Sequence, residues 1–197
     1  MVAISYGNVI TEAQLGQDEV DYMTTLIKSM PSDGKMIEWG SGGSTCIWID
    51  NMLPTQTLIS VEHNESWHTR VKRAVKNHFT ATPNVTLLHI PEEHGIQHGY
   101  GALIEELPAG VAKYINPDIG QWNANIYFID GIARAACLMS VLRHNKNSDA
   151  AIFIHDYKGR EPWYDWASQF CRVEIVGTTL ARLYPNPVQY INTTHNL

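Results

Sequence analysis

Residues 36–45 read Met-Ile-Glu-Trp-Gly-Ser-Gly-Gly-Ser-Thr, an apolar run that ends in three closely spaced glycines and three small hydroxyl residues. Glycine lets a backbone turn tightly and lets a ligand approach with no Cβ in the way. A helix opening just after such a turn, capped by Ser44 or Thr45, points its positive N-terminus at the same place. Glu62 stands twenty residues beyond Gly42, at the end of a second apolar run, TLISVE. An acid at that spacing can accept hydrogen bonds from both hydroxyls of a ribose. Together the two signals describe a nucleoside-type ligand.

A dinucleotide fingerprint wants GxGxxG, and here the place of the third glycine is taken by Thr45. Glu38, two residues before the first glycine, would repel a pyrophosphate but suits a cation. S-adenosylmethionine carries an amino group and a sulfonium and no phosphate, so these residues favour it over a nicotinamide cofactor. Glu62 has a second reading as the cap of the next helix.

Two more acids end apolar runs: Asp130 in FIDG and Asp156 in FIHD. A carboxylate there is expensive unless it is paired or working. Asp130 and Asp156 are placed on different strands at the same edge of the sheet, where two carboxylates could share magnesium, a hard ion that prefers oxygen ligands. The metal-free alternative makes His155 a general base, because a neutral imidazole titrates near working pH. Asp130, His155 and Asp156 are therefore the candidate catalytic residues. A buried His155 bonded to the backbone is the plainer reading. His94 and His98 lie four apart, as in zinc sites, but Gly95 and Gly99 interrupt the segment and no third ligand is placed. Tyr100, Trp122, Trp163 and Tyr164 are expected on loops flanking the mouth at the carboxyl edge, where they could stack on an acceptor or simply close the core edge.

The elements that must carry these residues are legible. Runs such as MIEW, TLISVE, VTLLHI, IYFID and AAIFIHD are short, rich in Ile, Val or Phe, and do not alternate with polar residues. Such runs read as strands buried on both faces, as in a parallel sheet. Helical spacing of apolar residues appears over 17–30, 65–79 and 132–144, giving strand–helix alternation. RVEIVGTT and ARLYP read as an antiparallel hairpin at the sheet edge. The expectation is one α/β domain over residues 1–197, a doubly wound, mostly parallel seven-stranded sheet with helices on both faces and an antiparallel C-terminal hairpin. Residues 1–30 are expected to form an N-terminal helical segment, and 91–124 a lid or substrate loop.

The segments IEWGSGGST, VEHNESW and FIDG resemble motifs of the class I S-adenosylmethionine-dependent methyltransferases, over about residues 36–156. The resemblance implies that Glu38 and the backbone of Gly40 and Gly42 hold the amino acid end of the cofactor, and that Glu62 holds its ribose. His63 would border the adenine, with Ser41, Gly43, Thr45 and Asp130 also lining the site. The pair Asp130 and Asp156 is similar to the two metal-binding aspartates of catechol-type O-methyltransferases. The chain departs from that pattern at Tyr157, where an asparagine is usual, and in GIAR (131–134), where a lysine is usual.

The net charge of −6 argues against non-specific nucleic-acid binding. Arg70, Lys72, Arg73 and Lys76 share one helix, and a solvated face explains them. Three widely spaced cysteines suggest a reducing compartment rather than a disulfide framework. No signal peptide or membrane-length apolar run is visible, which makes a cytoplasmic protein the expectation. The functional expectation is methyl transfer from S-adenosylmethionine to a small molecule, at oxygen, with or without magnesium. The rivals are cleavage of that cofactor at sulfur, aminocarboxypropyl transfer, a nicotinamide-dependent oxidoreductase and a non-catalytic nucleoside-binding module. The oligomeric state is not legible.

Overall fold

In a computed structural model, which describes residues 1–6, 10–80, 82–91, 109–164 and 169–186, the apolar runs pair as one seven-stranded sheet. Its strands are β3 (Lys35–Trp39), β4 (Thr57–Glu62), β5 (Asn84–His89), β6 (Ile126–Ile129), β7 (Ala151–Ile154), β8 (Cys171–Ile175) and β9 (Ala181–Pro185). Their order is β5-β4-β3-β6-β7-β9-β8. The first five are parallel, and β9 pairs antiparallel with both β7 and β8. This is the expected sheet with its terminal hairpin.

The central strands lack polar alternation because both their faces are covered. Met36, Leu58, Ile126, Phe128 and Phe153 face a core built with α1 (Gln17–Ser29), α2 (Gly43–Asn51) and α3 (Glu65–His78). Ile37, Trp39, Ile59, Tyr127, Ile129, Ile152 and Ile154 face the opposite core, with α4 (Ala109–Ile115) and α5 (Arg134–His144). The remaining helix, α6 (Glu161–Tyr164), is one short turn.

The chain runs outward from β3 to β4 and β5, then crosses back to β6 beside β3. That reversal between β3 and β6 is the switch point at which open α/β sheets bind ligands, outside the carboxyl ends of the strands.

Three expectations are corrected. Residues 1–30 are not helical throughout: β1 (Val2–Tyr6) and β2 (Ile10–Ala13) form an antiparallel hairpin before α1. Trp122 does not flank the carboxyl edge; it packs on Trp39 and His144 in the segment leading into β6. Tyr164 is wholly buried and stacks on Tyr157, so its ring closes the core. His94, His98 and Tyr100, and most of the expected lid, lie outside the described residues, as does the Trp163 side chain; where 91–124 is described it includes α4.

Candidate cofactor site

The three glycines of the turn answer to three different neighbours. Gly40 has φ +95, and a Cβ there would lie 2.7 Å from the Gly131 nitrogen; the loops after β3 and β6 meet at this point. A Cβ on Gly43 would lie 2.1 Å from the Glu12 carbonyl oxygen, so this glycine lets β2 pack on α2. Gly42 has nothing within 4 Å of the place a Cβ would take, and it alone of the three opens outward. The cofactor role expected of Gly43 gives way to packing, since its missing side chain points at the N-terminal hairpin.

Glu38 is likewise corrected. Alternation along β3 turns it toward α2, and it is fully buried. Its Oε1 accepts from Ser44 Oγ (2.8 Å) and Trp48 Nε1 (2.9 Å), and its Oε2 from Thr45 Oγ1 (2.7 Å) and Ser60 Oγ (2.6 Å). Four donors use up the lone pairs of a carboxylate. Burial still pushes its pKa up to about 7 against those hydrogen bonds. Glu38 therefore sets the start of α2 and has no free lone pair for a cofactor. Thr45 carries the same logic: its hydroxyl donates to Glu38 and accepts the Gly42 N–H at 2.9 Å, so the N-cap is Gly42 and not a hydroxyl residue. Ser41 Oγ lies 2.7 Å from Ser60 Oγ and extends the network. Ser41 and Thr45 thus spend their side chains inside the turn.

Glu62 ends β4 on the same edge and is nearly buried. Its Oε1 accepts the Asn64 N–H at 2.7 Å and lies 3.0 Å from His63 Nδ1. Its Oε2 has no partner among the described residues. The cap of α3 is Asn64, whose side chain accepts from the Trp67 N–H. One oxygen of Glu62 thus braces the turn and the other is free. His63 is partly exposed, packs edge-on against Tyr114, and its carbonyl lies 3.2 Å from His89 Nε2.

The second group lies at the ends of β6 and β7. Ile129 pairs with Ile154, so Asp130 and His155 come out side by side. His155 Nδ1 lies 2.9 Å from Asp130 Oδ1 and 3.6 Å from Asp156 Oδ1, and its Nε2 lies 3.4 Å from Glu19 Oε2 on α1. Burial favours a neutral ring, but the hydrogen bonds to Asp130 and Glu19 and the charges of Asp130 and Asp156 outweigh it and hold the pKa at about 9. Both ring nitrogens already face carboxylates, so neither is open to take an acceptor's proton. The expectation of His155 as general base is therefore corrected.

Arg134 is the residue that sequence reasoning missed. It is almost fully buried at the start of α5. Its Nη2 lies 3.1 Å from Asp130 Oδ1 and its Nη1 3.1 Å from Asp156 Oδ2, while its N–H groups also reach the carbonyls of Gly131, Asp130 and His155. Arg160 adds a weaker contact to Asp156 at 3.4 Å. Asp130, His155 and Asp156 are close enough together to suggest a metal, with ligand atoms within 4.8 Å of one another. The residues do not fit one. A guanidinium already bridges the two carboxylates, and a divalent ion held by them would face that charge at short range. The magnesium reading of Asp130 and Asp156 is withdrawn on that ground. Asp130 Oδ2 has no partner among the described residues, and Asp130 remains partly exposed.

No protein-family model matches the chain, and no curated protein matches it in sequence. Solved structures do match in fold. A methyltransferase-like protein from Silicibacter pomeroyi superposes with TM-score 0.66 at 18% identity, covering 91% of each chain. A precorrin-6y C5,15-methyltransferase from Geobacter metallireducens gives 0.55 at 14% identity, over 90% of this chain and 93% of that one. A putative caffeoyl-CoA O-methyltransferase from Staphylococcus aureus gives 0.57 at 10% identity, over 88% and 86%. Sheet order, terminal hairpin and superposition together establish that this chain has the Rossmann-like fold of the class I S-adenosylmethionine-dependent methyltransferases.

Proposed function

We propose that the chain binds S-adenosylmethionine at the carboxyl edge between β4, β3 and β6 and transfers its methyl group to a small molecule. The observation that carries this reading is the pairing of Gly42, which faces open space, with Glu62, a buried carboxylate that keeps one oxygen free on the neighbouring strand. Gly42 would let the ligand lie against the backbone, and Glu62 would accept hydrogen bonds from ribose hydroxyls. The free Oδ2 of Asp130 faces the same edge from β6 and suits the ligand's amino group. His63 would border the base.

The ligand brings a methyl group already activated on a sulfonium. The chain's own task is then to orient two partners, a step that can supply a large share of a barrier by itself. No imidazole base and no metal take part in this reading. Oxygen is the proposed acceptor atom, in keeping with the O-methyltransferase among the similar structures. Its proton would pass to water, which favours an acidic hydroxyl over an alkyl alcohol. The similar structures are named for very different acceptors, so the fold leaves the acceptor open. The net charge of −6 disfavours a nucleic acid.

Calorimetric titration with S-adenosylhomocysteine tests the reading, with NAD as the competing ligand. Tight binding of the first and none of the second is expected; the reverse refutes it. Product analysis then separates the chemistries. S-adenosylhomocysteine marks methyl transfer, whereas methylthioadenosine marks cleavage at sulfur or aminocarboxypropyl transfer, and binding without turnover marks a nucleoside-binding module.

A further inference from the structure

We infer that Glu19 is a positioning residue of this site, holding Asp130 in place through His155 as one end of an internal ionic lock. The role given to Asp130 rests on the proposed function above; the lock itself does not. The lock runs from Glu19 Oε2 to His155 Nε2 (3.4 Å), from His155 Nδ1 to Asp130 Oδ1 (2.9 Å), and through Arg134 to Asp156. Among the described residues, Glu19 from α1, Asp130 from the turn after β6 and Asp156 from the ring's own turn are the charged groups that face His155. Arg134 from α5 donates to its carbonyl, and the Phe128 ring stacks at 6.4 Å.

Two observations separate this from ordinary packing. The first concerns what the hairpin requires. Glu19 is 1% exposed, in line with Met23 and Ile27 on the buried face of α1. Its Oε1 accepts the Thr179 and Leu180 N–H groups at 2.6 and 2.8 Å, tying down the β8–β9 turn, and Oε2 accepts the Gly16 N–H at 2.8 Å. Both carboxylate oxygens therefore act as acceptors, and Oε2, which also faces His155 Nε2, joins the start of α1 to the ring. Gly177 keeps the seat clear, since a Cβ there would lie 2.4 Å from Glu19 Cγ.

The second observation is strain. The non-glycine residues with positive φ, among those described, are Ala133 (φ 48) and Asp156 (φ 53). Each is a direct neighbour in sequence of a lock residue, Arg134 or His155. Left-handed backbone is costly for such residues and persists where surrounding contacts over-determine it, typically at functional sites. The lock supplies those contacts: the His155 ring and the Arg134 guanidinium hold two carboxylates and fix Asp130 Oδ1, which leaves its other oxygen without a partner among the described residues.

The test is Glu19→Gln, which keeps the shape and the acceptor for Thr179 and Leu180, removes the charge facing His155 and gives up the acceptor for the Gly16 N–H. It is read by 15N NMR of the histidine rings and by titration with S-adenosylhomocysteine, with His155→Asn used to assign the ring signals. The wild type should show both His155 ring nitrogens protonated at pH 7.5. The variant should lose the Nε2 proton and bind S-adenosylhomocysteine about tenfold more weakly, with its circular dichroism unchanged. A variant that keeps both ring protons and wild-type affinity overturns the inference. Should Glu19→Gln fail to fold, a neutral His155 ring in the wild type at pH 7.5 overturns it alone. Absence of S-adenosylhomocysteine binding in the wild type would sink the proposed function, and the ring signals would still judge the lock.

Discussion

Gly42 and Gly43 are adjacent, chemically identical, and expected to fail in opposite ways when replaced by alanine. A Cβ on Gly43 would sit 2.1 Å from the Glu12 carbonyl oxygen and 2.8 Å from Ala13 Cα. Both are backbone atoms, so relief requires the whole β1–β2 hairpin to move away from α2; overpacking of that kind costs about 1–3 kcal/mol. At Gly42 the new methyl group meets nothing within 4 Å. Removing glycine stiffens the unfolded chain and stabilises by about 0.4–1 kcal/mol, while alanine's weakness as an N-cap costs about 0.5–1 kcal/mol, so the two nearly cancel. The same methyl group would stand in the ligand's approach, where a loss of affinity of at least tenfold, about 1.4 kcal/mol, is expected. Urea unfolding and calorimetric titration with S-adenosylhomocysteine read the two effects separately. Gly43→Ala should lower the urea midpoint by about 0.5–1.5 M and leave the folded fraction binding normally. Gly42→Ala should leave the midpoint in place and abolish most of the binding. Equal destabilisation by the two variants, or wild-type affinity in Gly42→Ala, would refute the reasoning.

Glu62→Ala should weaken S-adenosylhomocysteine binding by about 1–3 kcal/mol, because the charge-assisted hydrogen bonds that its Oε2 would accept from the ribose disappear; unchanged affinity would leave Glu62 only its brace to Asn64. The raised pKa of His155, about 9, means that the folded chain keeps a proton the unfolded chain releases near 6.5. That stabilisation, about 3 kcal/mol, is complete below pH ~6.5 and is lost as pH rises through ~9. Chemical unfolding across pH 6–10 should show the decline, and His155→Asn should flatten it. Arg134→Met removes the guanidinium that bridges Asp130 and Asp156, leaving them His155 and, for Asp156, Arg160, and should cost about 1–3 kcal/mol in the same assay. EDTA should leave S-adenosylhomocysteine affinity in the wild type unchanged, and a loss would restore the case for a divalent ion.

Part of this was legible in the chain itself. Continuous apolar runs of four to six residues mean strands covered on both faces, because no polar side is needed when helices lie above and below. Their alternation with helical segments implies parallel pairing with crossovers, and the glycine turn and Glu62 then fall at the carboxyl edge by topology alone. The N-terminal strands were not legible, because Val2–Tyr6 and Ile10–Ala13 are too short to outweigh the helical pattern that follows.

What the sequence by itself determined, then, was the sheet, its edge and the residue types standing there. Tertiary structure decided their partners. Asp130 neighbours His155 because Ile129 pairs with Ile154, and a shift of one residue would have turned those side chains to opposite faces. Glu19 and Arg134 were readable only as charges lying in register with buried residues, Met23 and Ile27 in one helix and Leu138 and Val141 in the other. Which charges they meet depends on contacts 136 and 22 residues away in the chain, Glu19 with His155 and Arg134 with Asp156. Local propensity carries no information about such pairs, and the protonation of His155 follows from them, since burial and the charges around a ring set its pKa only once the chain has folded.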